Sequence, residues 1–443
     1  METLHPGLYR YATPAQMTAQ FDRLAATFCA GPTLGAAFLA LARTLSAIRC
    51  GHTYPNFHNQ AKSTQAALFS GRDKLPFWFG WIGERMIVTD PKDAAGALRA
   101  GDEILRINDR SVAAIQRDLL PLVRADGDNT AKRRSLLSVR GDDAWETFDI
   151  FYALAIHNGE PDFDLLVRSI RGPGRRVTLS AIDLEQRRAQ APTVDKDGPL
   201  WNVREEQGAH VLTMPGWAVY NSKWDWRGFL DRLFEDLAAR AAPALIVDLR
   251  ANEGGLDCGD EIIARLIDAP LQRAAFERRV RYRRAPQDLL PHLSTWDDSF
   301  KDWGDAAEPI DDRFYRLIER EGQSRAPIAP KGPRYKGKVI VLVGAVNSSA
   351  TFQFANLIQS NRLGVLVGEP TGGNQRGING GGFFFMTLPN SKLEVDVPLI
   401  GTFPQRPAPD AGLTPDVLIA DVPRDIAVGR DAVMQRALAL ARG

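Results

Sequence analysis

Three short stretches in the second half of the chain are apolar almost without a break: Ala244-Leu-Ile-Val-Asp-Leu-Arg250, Val339-Ile-Val-Leu-Val343 and Val365-Leu-Val367. Each ends in polar residues or glycine. Continuous apolar runs of this length, ending in polar residues, read as buried strands. The segments between them have helical spacing. Phe229, Leu230, Leu233, Phe234 and Leu237 form one face before the first run, and a helix from about Ala350 to Ser360 follows the second. Strands alternating with helices predict an α/β domain. Phe383 to Leu388 and Leu393 to Val397 read as a further strand pair around Pro389-Asn390.

The first half is patterned differently. Phe21, Leu24 and Phe28, then Leu34, Phe38, Leu41 and Leu45, recur at helical spacing, with Asp22 and Arg23 on a solvated face, so residues 1–70 read as a helical segment. Over 75–155 the pattern changes to short strands, with Phe77, Phe79 and Trp81 alternating and Gly101-Asp102 as a turn. Residues 156–200, polar at 158–174 and 190–199, read as a connection. The α/β core then spans 200–422, the charged, Pro-rich stretch 284–335 reads as an insertion or mobile flap, and 423–443 as a C-terminal helix.

Several function classes carry no signal. The chain has 55 basic and 54 acidic residues and a net charge of +1, so electrostatics offer no reason to expect nucleic acid or membrane insertion. The apolar stretch Leu34 to Ile48 is broken by Arg43 and too short to span a bilayer. Cys29, Cys50 and Cys258 are too few and scattered for a zinc site, and no metal or organic cofactor is expected. Cys29 and Cys50 could pair in an oxidising compartment; reduced thiols are the plainer expectation. The N-terminus lacks a basic region followed by an apolar one, which fits either a cytoplasmic chain or one whose signal peptide Met1 replaces.

The chemistry concentrates where the second strand ends, at Gly344-Ala-Val-Asn-Ser348-Ser349-Ala350-Thr351. A serine between a buried strand and a helix N-terminus sits where backbone N–H groups favour developing negative charge, as a nucleophile needs when an oxyanion forms. A helix cap is the plain alternative for the same residues. The segment Asp248-Leu-Arg-Ala-Asn252-Glu-Gly254-Gly255 ends the first strand, and its paired glycines allow close backbone approach.

Together these segments resemble the C-terminal processing peptidases, the tail-specific and tricorn-like serine peptidases. The resemblance extends to Gly368-Glu-Pro-Thr-Gly-Gly373 and Gly412-Leu-Thr-Pro-Asp416, in the family's order. It implies a crotonase/ClpP-like α/β core preceded by a PDZ-like β-rich domain, here 75–155. It also implies Ser349 rather than Ser348 as nucleophile, with the N–H groups of Gly255 and Ala350 as oxyanion donors and Gly254 as the alternative to Gly255. Many members carry a base lysine where this chain has Asn374, and Arg376 stays protonated. The tricorn-like branch instead takes a histidine from before the PDZ-like domain, and Gly51-His52-Thr53 looks like that motif, with His58 its near rival. The acceptor that orients the imidazole falls near Asp410, with Ser348 or Thr53 as other candidates and Asp416 as a structural residue.

The resemblance implies hydrolysis of peptide bonds through an acyl-enzyme on Ser349, on peptide or unfolded-protein substrates with exposed C-termini. It also suggests a periplasmic or secreted location if a signal peptide is removed. The alternatives are a catalytically inactive ligand- or peptide-binding protein on the same core, and an esterase using the same serine. The oligomeric state is not legible.

Overall fold

In the computed structural model the three apolar runs lie side by side as parallel strands, Ala244–Asp248 beside Lys338–Val343 beside Val365–Gly368. The model describes residues 1–443 except 171, 194, 196–197, 274–275 and 319–325. Ala209–Thr213 extends this sheet in parallel on one side and Val417–Leu418 on the other, while Asn202–Glu206 closes the first edge antiparallel. Spatial order follows chain order.

Successive strand residues point to opposite faces. Leu245, Val247, Val341 and Val343 pack with Leu230, Leu237, Phe354 and Ile358 from the helices Trp226–Ala239 and Ser349–Ser360. Ile246, Ile340 and Leu342 pack on the opposite side with Val433, Ala437 and Leu438 of the helix Ala432–Arg442. Each such side chain contributes about 1.5–3 kcal/mol when fully buried, so this two-faced core fixes the strand ends from which the site is built. The C-terminal segment forms two helices, Pro423–Ala427 and Ala432–Arg442, with Gly429 at a positive φ between them.

A second sheet is antiparallel and centres on Asn379–Thr387 paired with Glu394–Pro404. Here the expectation for 284–335 needs correction. The described part of that stretch supplies Leu293–Ser294, Ala307–Pro309 and Tyr315–Leu317 to this sheet and buries Phe300 and Trp303 in the core. Residues 319–325 of it lie outside the described residues. Its charge is taken up in ion pairs such as Arg284 with Asp302 and Arg283 with Asp305, so it is part of the sheet's framework.

The third sheet is built from Trp78–Ile82, Arg85–Asp90, Glu103–Ile107, Arg110–Ser111, Asp162–Arg168 and Gly174–Ser180. The module expected over 75–155 therefore runs to Ser180, and the stretch read as a connection provides its last two strands. Three helices, Val112–Leu119, Thr130–Leu136 and Thr147–Ala155, intervene between its fourth and fifth strands. Before it lie the helices Pro14–Cys29, Leu34–Ser46 and Lys62–Phe69. Thr13 and Gln16 form a reciprocal capping box that starts the first of them. All three cysteines are free, Cys29 exposed and Cys50 and Cys258 buried. Among the described residues no helix is long and apolar enough to cross a membrane.

Candidate active site

The strand Lys338–Val343 and the helix Ser349–Ser360 are joined by a turn held almost entirely by Asn347. That side chain is fully buried. Its Nδ2 donates to the carbonyls of Leu249 at 2.6 Å and Asn252 at 2.8 Å, and its Oδ1 accepts from the Gly344 N–H at 2.7 Å. Thr351 Oγ1 adds a bond to Asn252 O at 3.1 Å. The turn after the first strand and the turn after the second are thereby locked together.

At their junction Ser349 has φ of 51°, in the left-handed region that non-glycine residues avoid at a cost of about 1–2 kcal/mol. The surrounding bonds hold this conformation, which lifts a half-buried hydroxyl at the head of a twelve-residue helix. The two serines are clearly distinguished. Ser348 Oγ donates to Glu253 O at 3.1 Å and receives from Lys132 Nζ at 3.3 Å, whereas Ser349 Oγ has no hydrogen-bond partner among the described residues.

The paired glycines lie directly against this serine. A Cβ on Gly254 would stand 2.9 Å from Ser349 Cβ and 3.3 Å from the Ala350 nitrogen. A Cβ on Gly255 would strike the Trp217 carbonyl at 2.2 Å. Both positions therefore require glycine, and both have positive φ, 131° and 138°. The Gly254 N–H is already given to Asn252 Oδ1 at 3.0 Å. Those of Gly255 and Ala350 have no partner among the described residues, so two free donors flank Ser349.

His52 comes from the loop after the second helix and packs its ring, tilted by 53°, 5.9 Å from that of Phe383. Its Nδ1 is buried without a hydrogen-bond partner. Burial lowers its pKa, partly countered by the carboxylate of Asp126, so the imidazole is held neutral near pH 7. Asp126 is buried and accepts the Gly51 N–H at 2.8 Å through Oδ1, while its Oδ2 also lacks a partner. The His52 loop is tied to the glycine turn by Arg124, which donates to Gly51 O at 2.7 Å and pairs bidentately with Glu253 at 2.8 and 3.2 Å. No hydrogen bond joins His52 to Ser349 in this structure.

The other residues singled out in the sequence have different partners. Asp410 accepts from Asn374 Nδ2 at 2.6 Å and from the Asp128 N–H at 3.3 Å, and faces Arg376 at 3.7 Å. It reaches the His52 region only indirectly, since Asn374 also donates to Asp126 O at 3.2 Å. Asp416 accepts from Gln359 and from the Leu366 N–H, a structural role. His58 pairs with Asp143 at 3.1 Å, and Thr53 with His5 at 2.8 Å.

Four residues of this site lie outside those singled out in the sequence, and three of them, Arg124, Asp126 and Lys132, carry no signal there; the fourth is Glu253. Lys132 is buried and donates to Glu253 Oε1 at 2.8 Å and Val346 O at 2.7 Å as well as to Ser348. Burial alone would raise the pKa of Glu253, but Arg124 and Lys132 outweigh it and hold the carboxyl well below its usual range. In the sequence, Lys132 sits in Lys132-Arg133-Arg134 and looks like part of a solvated helix face, and Asp126-Gly127-Asp128 reads as a turn. Only Glu253 lies inside a recognisable motif.

A strained serine at a helix head, beside unpaired N–H groups, is an arrangement that can carry a nucleophile and bind an oxyanion. Residues 211–416, which hold the central strands of the core sheet, the serine turn and both glycines, match the model of peptidase family S41, and the resemblance to the C-terminal processing peptidases stands. Most of the chain also resembles solved structures. Mature CPAF complexed with lactacystin superposes with a TM-score of 0.62 at 15% identity, covering 96% of this chain and 91% of that one. Mature CPAF alone gives 0.60 at 15% identity, covering 95% and 90%. At that identity the likeness concerns the fold. The photosystem II D1 C-terminal processing protease, at 15% identity over 92% of this chain and 89% of that one, has a TM-score of 0.38. No curated protein matches the sequence.

Proposed function

We propose that this chain is a serine-type peptidase that cleaves peptide bonds through an acyl-enzyme on Ser349. The observation that carries the proposal is the strained Ser349, its hydroxyl free, with the unpaired N–H groups of Gly255 and Ala350 beside it. His52 accepts the serine proton as Oγ attacks the scissile carbonyl, and returns it to the leaving amine as the C–N bond breaks. Gly255 and Ala350 donate to the tetrahedral oxyanion, with the positive end of the helix behind them. Water, deprotonated by the same imidazole, then releases the acyl group.

A neutral imidazole needs a partner that fixes its tautomer. Asp126 is our candidate, because its unpartnered Oδ2 and His52 Nδ1 are both buried in one small cluster. Asp410 acts one step out, holding the loop of Asp126 through Asn374. The sheet spanning residues 78–180 serves in this reading as a PDZ-like module, which takes an extended peptide along its Gly174–Ser180 edge by strand addition. That would select unfolded chains and exposed C-termini.

The test is to incubate wild type, Ser349→Ala and His52→Ala with an unfolded protein and a peptide library, reading products by mass spectrometry. Cleavage by wild type alone supports the assignment. Cleavage confined to small esters points to an esterase, and peptide binding without any turnover points to an inactive binding protein.

A further inference from the structure

Cys50, His52 and Asp126 bring a sulfur, a ring nitrogen and a carboxylate oxygen within 4.8 Å of one another. This cluster is more than a chance meeting of polar groups. Cys50 and Asp126 are almost wholly buried, and both Asp126 Oδ2 and His52 Nδ1 lack hydrogen-bond partners among the described residues. The supports around them leave those atoms free. The Gly51 N–H occupies Asp126 Oδ1, and Asn379 Nδ2 donates to Cys50 Sγ at 3.3 Å. Hydrogen bonds of this kind orient metal ligands.

We propose that this cluster is an inhibitory site for a thiophilic divalent cation, zinc above all, bound by Cys50 Sγ, His52 Nδ1 and Asp126 Oδ2. Sulfur, imidazole and carboxylate together are zinc's ordinary donor set, with a solvent molecule completing four ligands. Bond lengths of about 2.0–2.3 Å put tetrahedral ligand atoms roughly 3.3–3.8 Å apart, a spacing the cluster takes up on binding. Coordination breaks the Cys50 S–H bond and releases that proton to solvent. It also takes the Nδ1 position, so the single proton of the neutral imidazole resides on Nε2. An imidazole protonated there cannot accept the serine proton, and hydrolysis stops without any change of oxidation state. The sequence hides this site because Asp126 lies more than seventy residues beyond Cys50.

The inhibitory effect rests on His52 being the general base; the binding itself does not, and the two are measured separately. Metal-free full-length protein is titrated with cobalt(II), following the thiolate-to-cobalt charge-transfer band, and zinc-loaded protein is examined by X-ray absorption at the zinc edge. The expected results are one equivalent bound with a thiolate band, displaced by zinc, and one sulfur among nitrogen and oxygen ligands. The band should survive Cys29→Ser and Cys258→Ser and vanish in Cys50→Ser. Absence of a sulfur ligand, or a band that persists in Cys50→Ser, would overturn the site. Zinc at one equivalent should reduce peptide hydrolysis more than tenfold, reversibly with EDTA. In Cys50→Ser and Cys50→Ala the inhibition, taken relative to each variant's own metal-free rate, should largely disappear. Equal inhibition of wild type and variants, or stimulation by zinc, would contradict the proposal. Metal binding in a protein with no hydrolytic activity would support the site and count against the peptidase.

Discussion

Gly254 and Ser349 are in such close apposition that a Cβ on the glycine would stand 2.9 Å from that of the serine. A methyl group there must push the nucleophile turn away, and Gly254 also has φ of 131°, where an alanine is strained. Gly254→Ala is expected to lower kcat by about 10²–10³, the loss typical of a disrupted oxyanion site, with a smaller effect on KM. Steady-state kinetics on a cleaved peptide would show it. A variant within threefold of wild type would mean that the glycine turn takes no part in the chemistry.

Asp126 and Asp410 are separable by mutation. Asp126→Asn removes the carboxylate nearest His52 and should cost about 10²–10⁴ in kcat if that residue orients the base. Asp410→Asn leaves a side chain able to keep the Asn374 contact and should cost less than about tenfold. The reverse ranking, measured on one substrate, would return the orienting role to Asp410.

Lys132 is buried beneath the serine turn, and its ammonium is paired to Glu253 at 2.8 Å. Lys132→Met leaves Glu253 with Arg124 alone and frees the Val346 carbonyl and the Ser348 hydroxyl of their donor. The expected loss is about 2–4 kcal/mol in urea unfolding, near the range for breaking a buried pair but reduced by the partial exposure of Glu253. Adding Glu253→Gln should recover part of it. A fully additive double variant would show that the two charges do not interact.

Glu146 gives the stability a definite pH dependence. It is buried, and desolvation together with neighbouring Asp149 pushes its carboxyl up to about 8, although the N–H groups of Arg140 and Gly141 favour ionisation. The folded pKa lies above the unfolded one, so the folded state holds the proton more tightly. The stability this group contributes is full below about pH 4.5 and is lost as pH rises through about 8. Between about pH 6 and pH 9 wild type should therefore lose a few degrees of Tm relative to Glu146→Gln. Parallel Tm curves for the two proteins would refute the assignment.

What the sequence discloses and what it conceals follow from the range of the interactions. The core strands are legible because burial on both faces makes them apolar at every position, as in Val339 to Val343, and that pattern needs no partner to be seen. Ser349 and Gly254-Gly255 are legible because each belongs to a local turn. Lys132 and Asp126 are not, since their partners lie far along the chain and a buried lysine has the same letter as a solvated one. Phe163, Leu165 and Val167 do alternate with Asp162 and Asp164 as a strand should, and all three are buried. The flanking Asn158-Gly159 and Gly172-Pro173-Gly174 give that stretch the look of a connection. In 284–335 charges form ion pairs both between segments flanking the sheet, as in Arg284 with Asp302, and across its strands, as in Arg316 with Glu277, a use that composition alone does not separate from a solvated loop.

The central claim is that Ser349 is a nucleophile, and a fluorophosphonate probe tests it without knowledge of the substrate. Native protein is treated with the probe, digested and mapped by tandem mass spectrometry, beside Ser349→Ala and Ser348→Ala. The account predicts one phosphonylated residue, Ser349, with labelling lost in Ser349→Ala and retained in Ser348→Ala. Labelling on Ser348, or equal labelling of wild type and Ser349→Ala, would contradict it.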